Sequence, residues 1–157
     1  MKPKSLFGKN LRGLSSLALL VVAALLCVAT SQAGPPRITE IIPEAGAVDV
    51  PVDSEVLIRF DEEVDETTLG EEAVLLEDPD GVRVPSRLAL GDSYELVIVP
   101  DQNLTPVTTY RVVLDLDLLR TRNDATYEVA DESLDLEHDP VENTVSYTFT
   151  TGLAIRP

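Results

Sequence analysis

Cysteine, histidine, tryptophan and methionine are nearly missing from this chain of 157 residues, and each shortage removes a class of chemistry. Cysteine occurs once, at Cys27 in an apolar N-terminal stretch. No disulfide framework and no thiolate nucleophile can therefore be built from the remainder. One histidine, His138, and one methionine, Met1, leave soft metals without a ligand set. Tryptophan is absent, and four tyrosines with three phenylalanines are the whole aromatic stock. A sugar-stacking cleft between paired carboxylates is thereby disfavoured. No G-x-S-x-G elbow, P-loop or G-x-G-x-x-G occurs. A Ser-His-Asp arrangement would depend on His138 alone. The sequence reads as non-enzymatic.

Lysine is missing beyond Lys9. From Gly34 onward the chain carries eight arginines against 28 acids, a balance of −20. Such a charge repels nucleic acid and anionic headgroups, so neither is an expected partner.

The first 33 residues follow a different rule. Lys2, Lys4, Lys9 and Arg12 precede an apolar run of 16 residues, Leu14 to Ala29, and Thr30-Ser31-Gln32-Ala33 closes with small-x-small spacing. That is the pattern of a secretory signal peptide over residues 1–33, with cleavage expected after Ala33. The run falls short of the roughly 20 residues of a spanning helix. Leu25 and Leu26 before Cys27 disfavour a lipoprotein signal, so Cys27 reads as an apolar member of the run. The product would be exported to the periplasm, the cell surface or the medium, with no membrane attachment after cleavage.

Past Gly34, alternation of apolar and polar residues predicts strands and no sustained helical period. Val56, Ile58 and Phe60 share one face of Ser54–Asp61; Tyr110, Val112, Leu114 and Leu116 share one face of Thr108–Leu116. Val145, Tyr147 and Phe149 do so in Thr144–Thr150. Shorter segments at Arg37–Ile42, Ala73–Glu77, Val82–Leu88 and Tyr94–Val99 complete about seven strands. Tyr94–Val99 is apolar on both faces and reads as central. Asp78-Pro79-Asp80-Gly81 predicts a turn, with a hairpin on to Val82–Leu88. Thr67-Thr68-Leu69 reads as one helical turn. The spacing predicts an all-β sandwich of about seven antiparallel strands in two sheets, over residues 34–152. Residues 153–157 form a tail. A long acidic connection, 117–143, breaks the regular spacing.

Four stretches in order then resemble a known family: PPRITEIIPEAGAVDVPVDSEVLIRFDEEVDETTL, VLLEDPDGVRV, YELVIVPDQNLTPVTTY and SYTFTTG. Together they are similar to the bacterial Ig-like domain of S-layer and other surface proteins (the SbsA-type, Big_5 kind). The resemblance spans about Pro35 to Gly152 and implies an immunoglobulin-like β-sandwich. It weakens at 117–143, where the family has a shorter connection. Copper-resistance proteins with a similar sandwich rely on an N-terminal histidine and further His or Met ligands, and these are lacking. Leu104, Pro106 and Tyr110 read as a tyrosine corner. Phe60, Tyr147 and Phe149 join Tyr110 as expected structural residues. Tyr110→Ala is expected to cost more than Tyr127→Ala.

One site hypothesis remains. Calcium takes several hard oxygens from neighbouring residues. Asp124, Glu128, Asp131, Glu132 and Asp135 crowd the long loop, followed by Glu137 and Asp139. Asp61, Glu62, Glu63 and Asp65 form a second cluster. Neither matches a D-x-D-x-D-G loop, and a solvated acidic surface is the preferred reading. The functional expectation is a non-catalytic structural or interaction module of the bacterial cell envelope, contacting an envelope protein or polysaccharide, without a cofactor. A calcium-dependent or carbohydrate-binding module is the alternative.

Overall fold

Eight strands in two antiparallel sheets make up the computed structural model, which describes residues 36–128 and 134–153. The expected signal peptide, residues 1–33, and the tail beyond Leu153 lie outside the described residues. The strands are β1 (Ile38–Ile42), β2 (Val56–Phe60), β3 (Val74–Glu77), β4 (Ser86–Asp92), β5 (Glu95–Pro100), β6 (Thr109–Asp115), β7 (Glu137–Asp139) and β8 (Thr144–Thr150). A single 3-10 turn, Glu66–Thr68, stands where helix was expected, capped by Asp65.

One sheet runs β1-β2-β5-β4 and the other β3-β6-β8-β7. Without β7, this is the order of a constant-type immunoglobulin sandwich, four strands facing three. β7 is the eighth strand. It arises inside the 117–143 connection and pairs with the outer edge of β8 through Glu137↔Ser146 and Asp139↔Thr144. Three exposed, polar residues carry no apolar alternation, so no sequence pattern announced it.

The core follows from period two. Ile41, Ile58, Leu96 and Leu90 form one inward cross-strand row. Leu76, Val112 and Tyr147 form a facing row from the second sheet. β5 is central, as its two apolar faces require. Tyr110 and Phe149 stack with ring centres 5.9 Å apart. Phe60 packs on Tyr127 at 4.5 Å. Each pair adds about 0.5–1.5 kcal/mol beyond its buried area.

Two local expectations are corrected. The turn at 78–81 forms, with Gly81 at φ +73°, but it does not lead into a hairpin of β3 and β4. Only Glu77↔Arg83 bridges, and Val84 N donates to Leu76 O at 2.7 Å. Pro85 has no N–H to extend that ladder, and the chain crosses to the other sheet. Tyr94 lies in the tight β4–β5 turn and is exposed, rather than inward on the strand. The 117–143 segment is also less loop-like than its charge suggests. Leu119 and Tyr127 are fully buried, and Val64↔Thr121 and Arg120↔Thr126 bridge its start. Tyr127 is 1% exposed and Tyr110 4%, which removes the ground for ranking their alanine variants apart.

Candidate functional site

A groove of about 540 Å³ opens at one end of the sandwich, between the β3–β4 crossover and the β5–β6 connection. That size falls within the range of small-molecule sites. Both walls are fixed locally. On one side, Asp78 Oδ1 accepts from the backbone N–H of Asp80 and Val82, each at 2.9 Å. Pro85 O then accepts from Asp101 N at 2.9 Å, tying the walls together.

The other wall is held by two side chains from β6 and the end of β8. Tyr110 Oη accepts from Thr105 N at 2.8 Å, closing the tyrosine corner over buried Leu104. Thr151, itself buried, donates its hydroxyl to Thr105 O at 2.6 Å and accepts from Thr108 N at 3.0 Å. Leu104 N donates to Val52 O at 2.7 Å. These bonds hold Val107 at φ 53°, a region strained for a β-branched residue. Pro106 sits exposed at the tip, where its missing N–H costs nothing.

The lining is half polar and half apolar in character. Gln102, Asn103, Thr105 and Thr108 offer amides and hydroxyls; Pro79, Val82 and Pro85 offer apolar surface. Arg83 is the one cation in the lining, ion-paired to Glu71 at 3.0 Å. Neither imidazole nor thiol lines the groove. Asp78 and Asp101 add carboxylates to the lining, and the arrangement can orient a ligand by hydrogen bonds.

His138 stands elsewhere, exposed on β7, above a shallow depression lined by Arg111, Asp139 and Ser146. Arg111 there donates to Ser146 Oγ at 3.0 Å.

The acidic residues are dispersed. Asp124 lies in a turn at φ 64°, 4.0 Å from Arg120. Glu128 is exposed, and its backbone joins Arg37 and Pro36. Asp135 is exposed at φ 51°. Asp131 and Glu132 lie outside the described residues. In the other cluster, Asp61 accepts from Arg37 N at 2.6 Å and Glu63 pairs with Arg122 at 2.6 Å. Asp65 accepts from the side chain and backbone of Thr67, which holds its carboxyl below the ordinary value. Among the described residues, no three His, Cys, Asp or Glu side chains converge on a metal-sized site.

Two tyrosines are perturbed without lying in the groove. Burial, then the nearby Asp61 and Glu62, pushes the Tyr127 phenol well up; its hydroxyl donates to Glu62 O at 3.3 Å. Burial alone does the same at Tyr147, whose hydroxyl has no partner among the described residues. The groove was not foreseen from sequence, because it is made by backbone bonds between distant connections. The one local signal was the L-x-P-x-x-x-Y spacing of Leu104, Pro106 and Tyr110.

A family model described as a bacterial Ig-like domain matches residues 32–151. Among solved structures, domains 1–6 of the surface layer protein SbsC superpose with a TM-score of 0.51 at 15% identity, over 86% of this chain and 16% of that one. The chain thus spans about a sixth of that protein. The L,D-transpeptidase LdtMt1 in complex with imipenem gives 0.44 at 21% identity, over 62% and 41%. PcoC, a methionine-rich copper resistance protein from Escherichia coli, gives 0.48 at 23%, over 75% and 99%. No curated protein sequence matches the chain. Among the described residues no helix is long and apolar enough to cross a membrane.

Proposed function

The chain belongs to the bacterial Ig-like domain family, and we propose on that footing that it is an exported, non-catalytic module of the cell envelope that acts through surface contacts. The observation that carries this reading is the make-up of the groove. Its walls are pinned by backbone and threonine hydrogen bonds, and its lining offers amides, hydroxyls, prolines, the carboxylates of Asp78 and Asp101 and one arginine, with no imidazole or thiol among them. Such a site binds an extended polar chain, from an envelope protein or polysaccharide, rather than transforming it. The signal-like first 33 residues support export. Stacking on a sugar ring would need an exposed aromatic, whereas Tyr110 presents only 4% of its surface, with its hydroxyl engaged.

Site-specific photocrosslinking in living cells tests this. A photoreactive residue at Asn103, in the groove, is expected to capture a discrete envelope component; one at Val141, in the β7–β8 turn, is not. Equal, diffuse capture at both positions, or capture of cytosolic proteins alone, would sink the proposal.

A further inference from the structure

Every sandwich of this order has four strand edges, and three of them are blunted here. β1 carries a register shift between Ile38 and Glu40, and Glu128 N donates to Pro36 O just ahead of it. The edge of β3 is occupied by the returning chain, through Val84 N to Leu76 O and the Glu77↔Arg83 bridge. β7 is only three polar residues, two of them acids, followed by Pro140. Charge, proline, bulges and covering segments are the devices by which edges avoid pairing.

β4 has less protection. Its seven residues make it the longest edge, and Ser86 to Leu90 run in unbroken register with β5. The irregularity comes late, between Leu90 and Asp92. Among the described residues no segment pairs with its outer side. An apolar row also runs out to it across the outer face of the sheet: Ile42↔Leu57↔Val97↔Ala89. The row stops at exposed Ala89 with no fifth strand to continue it.

We propose that β4 is the contact edge for a second copy of this chain, joined antiparallel about Ala89. Two-fold pairing sets Ala89 opposite Ala89 of the second copy and prolongs the apolar row across eight strands. It sets Leu88 opposite Leu90 on the core side, and Arg87 opposite Gly91 on the outer side. The last pairing is complementary in charge. The Glu95 carboxylate occupies the space a Cβ on Gly91 would fill; one of its oxygens is paired with Arg59 at 2.6 Å, so an arginine arriving beside Gly91 joins that pair through the other oxygen. Arg87 has only Asp101, at 3.8 Å, within its own copy. Either set of outward-facing backbone groups on β4 satisfies this register, because antiparallel pairing alternates both kinds of residue pair.

Net charge sets the conditions. Two copies each near −20 repel, and the repulsion is screened over about 8–10 Å at physiological salt but reaches ~30 Å at 0.01 M. One strand pair buries less than the roughly 1,000 Å² of a stable complex, so the association is reversible and concentration-dependent. A basic peptide on the same edge would show the opposite salt dependence. The inference deepens the reading of the chain as an interaction module, yet the two fail separately: a groove partner can exist without self-association.

Sedimentation velocity on protein recovered in its processed form from producing cells provides the test. The weight-average mass is expected to climb towards a dimer with concentration at 0.5 M NaCl, and to stay monomeric at 0.01 M. Ala89→Lys, at an exposed position, keeps the wild-type circular dichroism and remains monomeric in both. An equimolar mixture of A89K and A89E restores the dimer. A monomer at every salt and concentration overturns the proposal, as does self-association that A89K leaves unchanged. Strong protection from hydrogen exchange, in a strict monomer, of those 86–90 amides that do not bond to β5 also overturns it, since another segment would then hold the edge.

Discussion

Replacing Tyr147 by Phe removes one oxygen from the middle of β8 and is expected to make the protein more stable. The side chain is 3% exposed, and its hydroxyl meets no hydrogen-bond partner among the described residues. A buried, unmatched hydroxyl costs about 1–3 kcal/mol, which Phe relieves while keeping the ring's packing. Allowing for the small void left by the oxygen, the gain is about 1 kcal/mol, or ~4 °C in Tm for a domain of this size. Tyr110→Phe should move the other way by about 1 kcal/mol, because Tyr110 Oη is the acceptor for Thr105 N. Urea unfolding followed by far-ultraviolet circular dichroism reads both, with unchanged m-values as the check that neither variant alters the unfolded ensemble. High pH supplies a second readout. The folded Tyr147 phenol ionises well above its ordinary value because it is buried, whereas unfolded tyrosine ionises near pH ~10. Above that pH the unfolded state holds fewer protons, so stability is full below about pH 10 and falls beyond it. By pH 11 Tyr147 accounts for a loss on the order of 1 kcal/mol, which Y147F should not show. A Tm for Y147F at or below wild type would mean the hydroxyl is matched, and the reasoning would be refuted.

Further expectations concern the groove wall, the core and the acids. Thr151→Val deletes the hydroxyl that joins Thr105 O and Thr108 N, and should cost about 1–3 kcal/mol in urea unfolding; Thr148→Val, at an exposed position of β8, should stay within ~0.5 kcal/mol. Tyr127→Ala and Tyr110→Ala should each cost about 3–5 kcal/mol, since both rings are buried against phenylalanine. A Tyr127→Ala loss below about 1 kcal/mol would show that this part of the long connection does not belong to the core. Calcium and magnesium at equal millimolar concentration should raise Tm equally, by screening alone; an excess for calcium would reveal a specific site.

Much of the sandwich was legible because its strands are half-buried and alternate. Val56, Ile58 and Phe60, or Val145, Tyr147 and Phe149, leave little choice of face. The central place of β5 was legible for a related reason, as Val97 and Val99 make its second face apolar too. What escaped was decided by tertiary contacts. β7 is Glu-His-Asp and is a strand only because β8 offers an edge. Tyr127 lies amid polar residues, and nothing local says that Phe60 will receive its ring. At Val82–Leu88 apolar residues suggested one strand, but Pro85 divides them between two sheets. The acidic clusters read as crowded in sequence, yet the described ones are separated by their bonds to Arg37, Arg122 and Thr67.

A balance of −20 and access to envelope partners both require a working protein that begins near Gly34 and lies outside the cytoplasm. Intact-mass measurement of the protein from fractionated producing cells tests this directly. A species starting at Gly34, recovered from the envelope or the medium, is the expected result. A cytoplasmic species retaining Met1, or one carrying fatty acid on Cys27, would contradict it.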